Sequence, residues 1–324
     1  MTHFLTAEQT SAALEMSPLI DAIDGLFETG CDMPVRHHHS FDVPGEEAGT
    51  LLVMPAWRSG DHLGVKMVNV VPGNGARGLP AIAGVYILSS AKTGELQAIM
   101  DGAELTARRT AAASALAAKY LSRPNARRLL IVGAGKLSLN LIEAHSVHRQ
   151  FDVIEIWARR LEQAEEIAEK ARALGFTAVA CTDLEASARE ADVISCCTLS
   201  REPLVLGEWL KPGTHLDLIG AFKSDMRECD DAAIVNTSVF ADTRDGVFAE
   251  GGDILQPLKA GLISEDHVKA DLYDLCGGNH AGRRDDQEIT VFKSVGAALE
   301  DLAGAMLVYK NLTRKDRNAV LVKL

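Results

Sequence analysis

The sequence predicts an α/β protein of two parts: a doubly wound parallel sheet and a sheet-rich α+β unit. Three observations predict it. After Pro124, short apolar strands alternate with helical segments, the pattern of a parallel sheet with crossover helices. Between about residues 33 and 100, strand patterns follow one another with only turns between them. An alanine-rich helix from Leu105 to Leu121 joins the two regions.

Taken in order, residues 7 to 30 carry Leu14, Met16, Leu19, Ile20, Ile23 and Phe27 at roughly helical spacing and close on Gly30, so a helix is expected there. Strands are expected over about 33 to 41, 50 to 57, 62 to 71, 81 to 89 and 94 to 100. Turn-rich pieces such as Pro72-Gly-Asn-Gly75 and Lys92-Thr-Gly94 divide them into an antiparallel unit. Thr106 is placed to cap the first turn of the alanine-rich helix. The second half predicts strands at 128 to 132, 153 to 157, 177 to 181, 192 to 197 and 214 to 219, then near 234 and 239. Helices are expected over 137 to 149 and 161 to 174, the latter ended by Gly175. The apolar stretch Phe292 to Tyr309 is long enough to leave the second domain and return to the first. Residues 1–120 with 293–324 are therefore expected to form one domain and 121–292 the other.

Composition narrows the function. A net charge of -12 and the lack of a Lys/Arg-rich block argue against a nucleic-acid surface. The N-terminus lacks the basic start and apolar core of a signal peptide, and no apolar run approaches a membrane span, so a cytoplasmic location is expected. The six cysteines show no CxxC spacing and read as reduced, buried thiols.

The segment Arg128-Leu-Leu-Ile-Val-Gly-Ala-Gly-Lys-Leu-Ser138 reads as strand, glycine turn and helix, which points to a dinucleotide-binding Rossmann domain. Gly133 permits a tight bend, Gly135 lets the backbone approach a pyrophosphate, and the helix start presents free N–H groups. Ser138 stands where a third glycine often falls, so the fingerprint is incomplete, and a plain strand-to-helix turn is the competing reading. The next strand ends in Ala158-Arg159-Arg160, where NAD-binding proteins usually place an acid. An arginine there can pair with a 2′-phosphate, which leans toward NADP; the alternative is two solvated charges starting a surface helix.

Other residues stand out as chemistry out of place. Lys66, in Gly64-Val-Lys-Met-Val-Asn-Val-Val71, lies on a strand apolar on both faces, a costly position unless an anion or hydrogen-bonding substrate meets it or the strand is an edge. Arg108 and Arg109 lie among alanines at the helix start, where one could hold a carboxylate by a two-pronged contact or either could form a surface salt bridge. Alternation places Arg36 and His38 on one strand face and His37 and His39 on the other, so the triplet cannot act as one metal site and reads as a polar strand lining a pocket. Cys196 and Cys197 read as packing. Thr198 and Asp217 fall at carboxyl ends of parallel strands, where Thr198 is placed to touch a cofactor and Asp217 is either a site residue or a hydrogen-bonded structural acid.

Together, Gly64-Val-Lys-Met-Val, Leu105-Thr-Ala-Arg-Arg-Thr-Ala-Ala, Val132-Gly-Ala-Gly, Gly220-Ala-Phe with Met226-Arg-Glu, and Phe292-Lys-Ser-Val-Gly296 occur in order across nearly the whole chain. It resembles the ornithine cyclodeaminase and mu-crystallin family. The resemblance implies a homodimer whose sheet-rich domain, completed by the C-terminal helix, builds the interface and faces the Rossmann domain across a cleft. It implies carboxylate binding by Arg36, Lys66 and Arg109, with Lys66 and Arg109 catalytic, and so favours Arg109 over Arg108. It also implies nucleotide contacts from Gly133, Gly135, Lys136, Leu137 and Thr198, and places Ser294 with Val295 beside nicotinamide and substrate.

Two departures refine it. Cyclodeaminases place an aspartate two residues after the glycine that is Gly220 here, to handle the ornithine amine, and this chain has Phe222. A threonine common after the Gly-Leu-Pro turn is Ala81. The resemblance therefore implies a ketimine reductase that uses NADPH, or NADH, to reduce cyclic imino acids such as Δ1-pyrroline-2-carboxylate and Δ1-piperideine-2-carboxylate. An ornithine cyclodeaminase or hydroxyproline dehydratase-type lyase, and a small-ligand binding protein, are the alternatives.

Overall fold

A computed structural model describes residues 2–315 and 320–322. The chain forms two compact units, Met1–Arg109 with Ala298–Leu324, and Thr110–Ala297. Both divisions fall away from the expected positions at 120 and 293. The first cuts the alanine-rich helix near its start, and the second lies beyond a strand that belongs to the parallel sheet.

The first unit opens with β1 (Thr2–Leu5), α1 (Ala7–Ala12) and α2 (Met16–Thr29). The single helix expected over 7 to 30 is thus two. Thr6 and Gln9 close a capping box at the start of α1, and Pro18 has no N–H to give to Leu14, so a continuous helix would be broken there. Strands β2 (His37–Phe41), β3 (Gly49–Trp57), β4 (His62–Val70), β5 (Ile82–Ser90) and β6 (Leu96–Asp101) follow, then α3 (Gly102–Leu121). The cap of α3 is Asp101, whose Oδ1 accepts from Glu104 N at 2.7 Å, and not Thr106 as the sequence suggested. A carboxylate just before the first turn reaches the free N–H groups, whereas Thr106 already lies inside the helix.

The sheet order is β15-β1-β6-β5-β4-β3-β2, where β15 is Val320–Val322. Pairing is antiparallel except between β1 and β6. Strand β4 is therefore an interior strand, between β5 and β3. Helix α11 (Ala298–Lys315) packs on α2 and against β3, β4 and β5. Met54, Lys66 and Tyr86 lie opposite one another on the covered face, and Val53, Met67 and Val85 on the other.

The second unit alternates β7 (Arg128–Val132), α4 (Lys136–His148), β8 (Val153–Trp157), α5 (Leu161–Ala173), β9 (Ala178–Cys181), α6 (Leu184–Glu190) and β10 (Val193–Cys196). After β11 (His215–Leu218) come α7 (Asp231–Val235), β12 (Ser238–Ala241), α8 (Arg244–Glu250), α9 (Gly252–Lys259), β13 (Val268–Asp271), α10 (Leu272–Cys276) and β14 (Thr290–Lys293). The strand expected near 234 is instead α7, because Asp230 accepts from Ala233 N at 3.0 Å and starts a helical turn. All pairings in the order β13-β12-β14-β11-β10-β7-β8-β9 are parallel. The order reverses beside β7, the topological switch point of a Rossmann sheet, where ligands bind at the carboxyl ends of strands. Leu130, Val132, Ile194, Leu216, Val239 and Val291 fill one side of this sheet's core.

Candidate active site

In the first unit, three of the residues singled out from sequence come together. Lys66 is 2% exposed, and its Nζ lies 2.6 Å from Asp301 Oδ2 on α11. Its edge-strand alternative is excluded by the interior place of β4. Arg109, 4% exposed, turns its Nε to Asp301 Oδ1 at 2.8 Å and one terminal nitrogen to Glu300 Oε2 at 2.5 Å. Arg36, half-buried just before β2, lies close enough for its charge to bear on Lys66. Arg108 serves a different purpose, donating to Leu14 O at 2.6 Å between the first two helices. The neighbouring arginines thus take different partners, Arg108 the junction of α1 and α2 and Arg109 the acidic pair on α11.

The electrostatics follow from the packing. Burial, then the nearby Arg109 charge, push the Lys66 ammonium down to about 8, against the opposing pull of Asp301. Burial also works against the Arg109 charge, but Asp301 and Glu300 more than offset it and hold the guanidinium above its ordinary value. Beside them the Tyr86 phenol is buried and finds no hydrogen-bond partner among the described residues. Burial, with Asp301 adding to it, raises it well above its usual range.

His37 and His39 share a face of β2, their rings 6.1 Å apart, as alternation requires. The strand is exposed from His37 to Phe41, so the polar strand expected to line a pocket lies open at a sheet edge in this chain.

In the second unit the glycine turn has the form expected of it. Gly133 adopts a φ of 127°, and a Cβ there would lie 2.8 Å from Cys197 Sγ, so only glycine fits. Gly135 is the N-cap of α4, has no side-chain cap, and faces open space. Lys136 and Leu137 form the first turn of α4, whose N-cap residue supplies no side-chain cap. Ser138, the departure from a third glycine, has a use: its hydroxyl donates to Gly133 O at 3.0 Å and closes the turn. Arg159 and Arg160 are exposed at the end of β8, the strand beside β7. An uncapped helix start beside open space, at the switch point of a parallel sheet, fits a dinucleotide pyrophosphate.

The remaining expectations divide. The Thr198 hydroxyl donates to Glu228 Oε1 at 2.8 Å. The Ser294 hydroxyl donates to Asp242 Oδ2 at 2.9 Å, and the same oxygen accepts from Val295 N at 2.9 Å. Asp217 is a buried structural acid, accepting from Ser195 Oγ at 2.6 Å and Ser114 Oγ at 3.1 Å. Reading by sequence alone missed Glu300, Asp301, Asp242 and Asp253, and gave no role to Glu228, the last residue of Met226-Arg-Glu. A signal existed for two of them: Glu300-Asp301 interrupts the apolar stretch Phe292 to Tyr309, and acids buried there need cations or hydrogen-bond donors to meet them.

A family model described as the ornithine cyclodeaminase/mu-crystallin family matches residues 1–316. The chain belongs to the ornithine cyclodeaminase/mu-crystallin family. It is 41% identical over 259 residues to a Δ1-pyrroline-2-carboxylate reductase of Paracoccus denitrificans, covering 80% of this chain and 82% of that one. To the ketimine reductase mu-crystallin of Rattus norvegicus it is 34% identical over 312 residues, 94% of this chain and 96% of that one. Among solved structures, Thermococcus litoralis Δ1-pyrroline-2-carboxylate reductase in complex with NADH and L-proline matches with a TM-score of 0.92 and 30% identity. That match covers 99% of this chain and 100% of the other.

Proposed function

We propose that this protein reduces a cyclic imino acid with NADPH or NADH, taking Δ1-pyrroline-2-carboxylate to L-proline and Δ1-piperideine-2-carboxylate to L-pipecolate. The observation that carries the reading is the buried cation cluster of Lys66 and Arg109 on Asp301, in a chain whose full-length relatives include imine reductases. Phe222, where a cyclodeaminase would place its amine-handling acid, supports reduction over deamination.

When bound, the nicotinamide supplies hydride to the imine carbon. Every other requirement falls on side chains. With all groups charged, Lys66, Arg109 and Arg36 contribute three positive charges against two negative ones from Glu300 and Asp301. This gathering of positive charge around Lys66 suits a substrate carboxylate. Arg109 and Arg36 clamp that carboxylate, and Lys66 orients it while biasing the proton at the imine nitrogen. Asp301 holds both Lys66 and Arg109 in register for this.

The unit Thr110–Ala297 is the dinucleotide-binding part, and the unit Met1–Arg109 with Ala298–Leu324 the substrate and dimerisation part. Gly133, Gly135, Lys136 and Leu137 receive the pyrophosphate. Arg159 and Arg160 receive a 2′-phosphate, which favours NADPH. Thr198 and Ser294 line the nicotinamide end, with Val295 against the substrate. A second copy of the chain covers the open face of the first sheet, where Leu63 is 38% and Met67 37% exposed beside Val53, Val65, Val85 and Ile87. Six free cysteines support a reducing, cytoplasmic setting.

The experiment is a substrate panel: pyrroline-2-carboxylate and piperideine-2-carboxylate against NADPH and NADH, with ornithine as control. Oxidation of the dinucleotide with either imine is the expected result. Ammonia release from ornithine without net reduced dinucleotide would identify a cyclodeaminase instead, and tight NADPH binding without imine reduction a binding protein.

A further inference from the structure

We infer that Glu228 is a positioning residue for the dinucleotide site, a single buried carboxylate that fastens together the loops leaving β10 and β11 at the ligand-binding rim of the parallel sheet. One oxygen, Oε1, accepts from Thr198 N at 2.6 Å and Thr198 Oγ1 at 2.8 Å. The other, Oε2, accepts from Gly220 N at 2.8 Å and Ala221 N at 3.2 Å. Thr198 follows β10 and Gly220 follows β11, and these strands are neighbours in the sheet. Glu228 itself is 0% exposed.

The loops touch. A Cβ on Gly220 would lie 2.1 Å from both Thr198 N and Thr198 O, so glycine is required for the approach that lets one carboxylate reach both loops. The carboxylate is held in turn. Glu228 N donates to Asp253 Oδ1 at 2.7 Å, and Lys293 Nζ lies 2.8 Å from Asp253 Oδ2 while donating to Ala221 O at 2.6 Å. Lys293 ends β14, the next strand over from β11, and is followed directly by Ser294. Three successive rim segments, after β10, β11 and β14, therefore converge on one buried group of two acids and a lysine.

A carboxylate accepts all four donors without conflict, whereas an amide of the same shape must turn its NH2 toward one pair of them. Such a mismatch loosens one rim loop while leaving the core of the sheet packed. This inference rests on the reading that the rim holds a dinucleotide. Glu228 shapes that rim, and Lys293 and Asp253 support it.

The test compares Glu228→Gln with Asp217→Asn. Asp217 is an equally buried acid of the same sheet that accepts from Ser114 and Ser195 and lies 3.4 Å from His145 Nε2. Dissociation constants for NADH and NADPH are measured by titrating the intact protein, and amide exchange is followed without dinucleotide. Glu228→Gln should weaken dinucleotide binding by roughly tenfold. It should speed exchange at Thr198, Gly220 and Ala221, and leave the KM for the imino acid within about twofold, since the first unit holds that carboxylate. Asp217→Asn should lower the thermal midpoint without either effect. Equal effects of the two variants on dinucleotide binding, or unchanged binding and exchange in folded Glu228→Gln, would overturn the inference. Should Glu228→Gln fail to fold, Thr198→Val removes one of the four donors, and unaltered dinucleotide affinity in it would overturn the inference too. Failure of the unaltered protein to bind either dinucleotide would instead overturn the reading on which the inference rests.

Discussion

Lys66 and Asp301 come from the two separate segments of the first unit's chain and meet with Nζ and Oδ2 2.6 Å apart, where neither side chain is more than 3% exposed. Asp301 also takes Arg109 on its other oxygen, so one carboxylate sets the spacing of two cations. A lysine that looks out of place on an apolar strand is thereby explained. Its partner is internal, and the shared carboxylate fixes Lys66 and Arg109 relative to one another.

Replacing that carboxylate should be costly in two ways. Asp301→Asn leaves two buried cations with one acid, and removing one member of a buried pair typically costs about 3–5 kcal/mol. Chemical denaturation should show a loss of that order. Imine-reducing kcat/KM should fall by at least about tenfold because Lys66 and Arg109 lose their common anchor. Native-like stability with native-like turnover would remove Asp301 from the site.

The Lys66 ammonium, held down to about 8 chiefly by burial, titrates within a working range of pH. The protonated form binds the carboxylate, so kcat/KM for the imino acid should be full well below about 8 and decline as pH rises through it. Asp301 supports the charge, and Asp301→Asn should therefore move the decline to lower pH. A profile that is flat between about 7 and 9 in the unaltered protein would argue that Lys66 does not need its proton.

Arg159 and Arg160 carry the dinucleotide preference in this reading. Changing both to alanine should raise the KM for NADPH by roughly tenfold or more while changing that for NADH by no more than about twofold, because only the 2′-phosphate is lost as a partner. Equal effects on both dinucleotides would assign the arginines to the surface instead.

The open face of the first sheet should be a subunit interface. Met67→Asp places a charge among Val53, Val65, Val85 and Ile87, and sedimentation analysis should show dimer giving way to monomer. A monomer in the unaltered protein would contradict this assignment.

Much of the fold is local and was readable. Strand lengths, the glycine turn at Gly133 and the ends of helices such as α5 depend on residues within a few positions of one another, and physical rules of spacing and capping act over that range. The misplacements were failures of the same local kind. Pro18 split a predicted helix, Asp230 turned a predicted strand into a helix, and Asp101 took the cap assigned to Thr106.

By itself the sequence determined that a dinucleotide turn begins a parallel sheet, that Lys66 and Arg109 needed a reason to be where they are, and which family the ordered motifs resembled. Only the tertiary structure decided the reason. Ion pairs and carboxylate clamps form between residues brought together by packing, and their partners leave no periodic trace in the chain. Thus Asp301 beneath Lys66, Asp242 beneath Ser294 and Glu228 between Thr198 and Gly220 emerge only when α11 lies on its sheet and the rim loops of the parallel sheet close on one another.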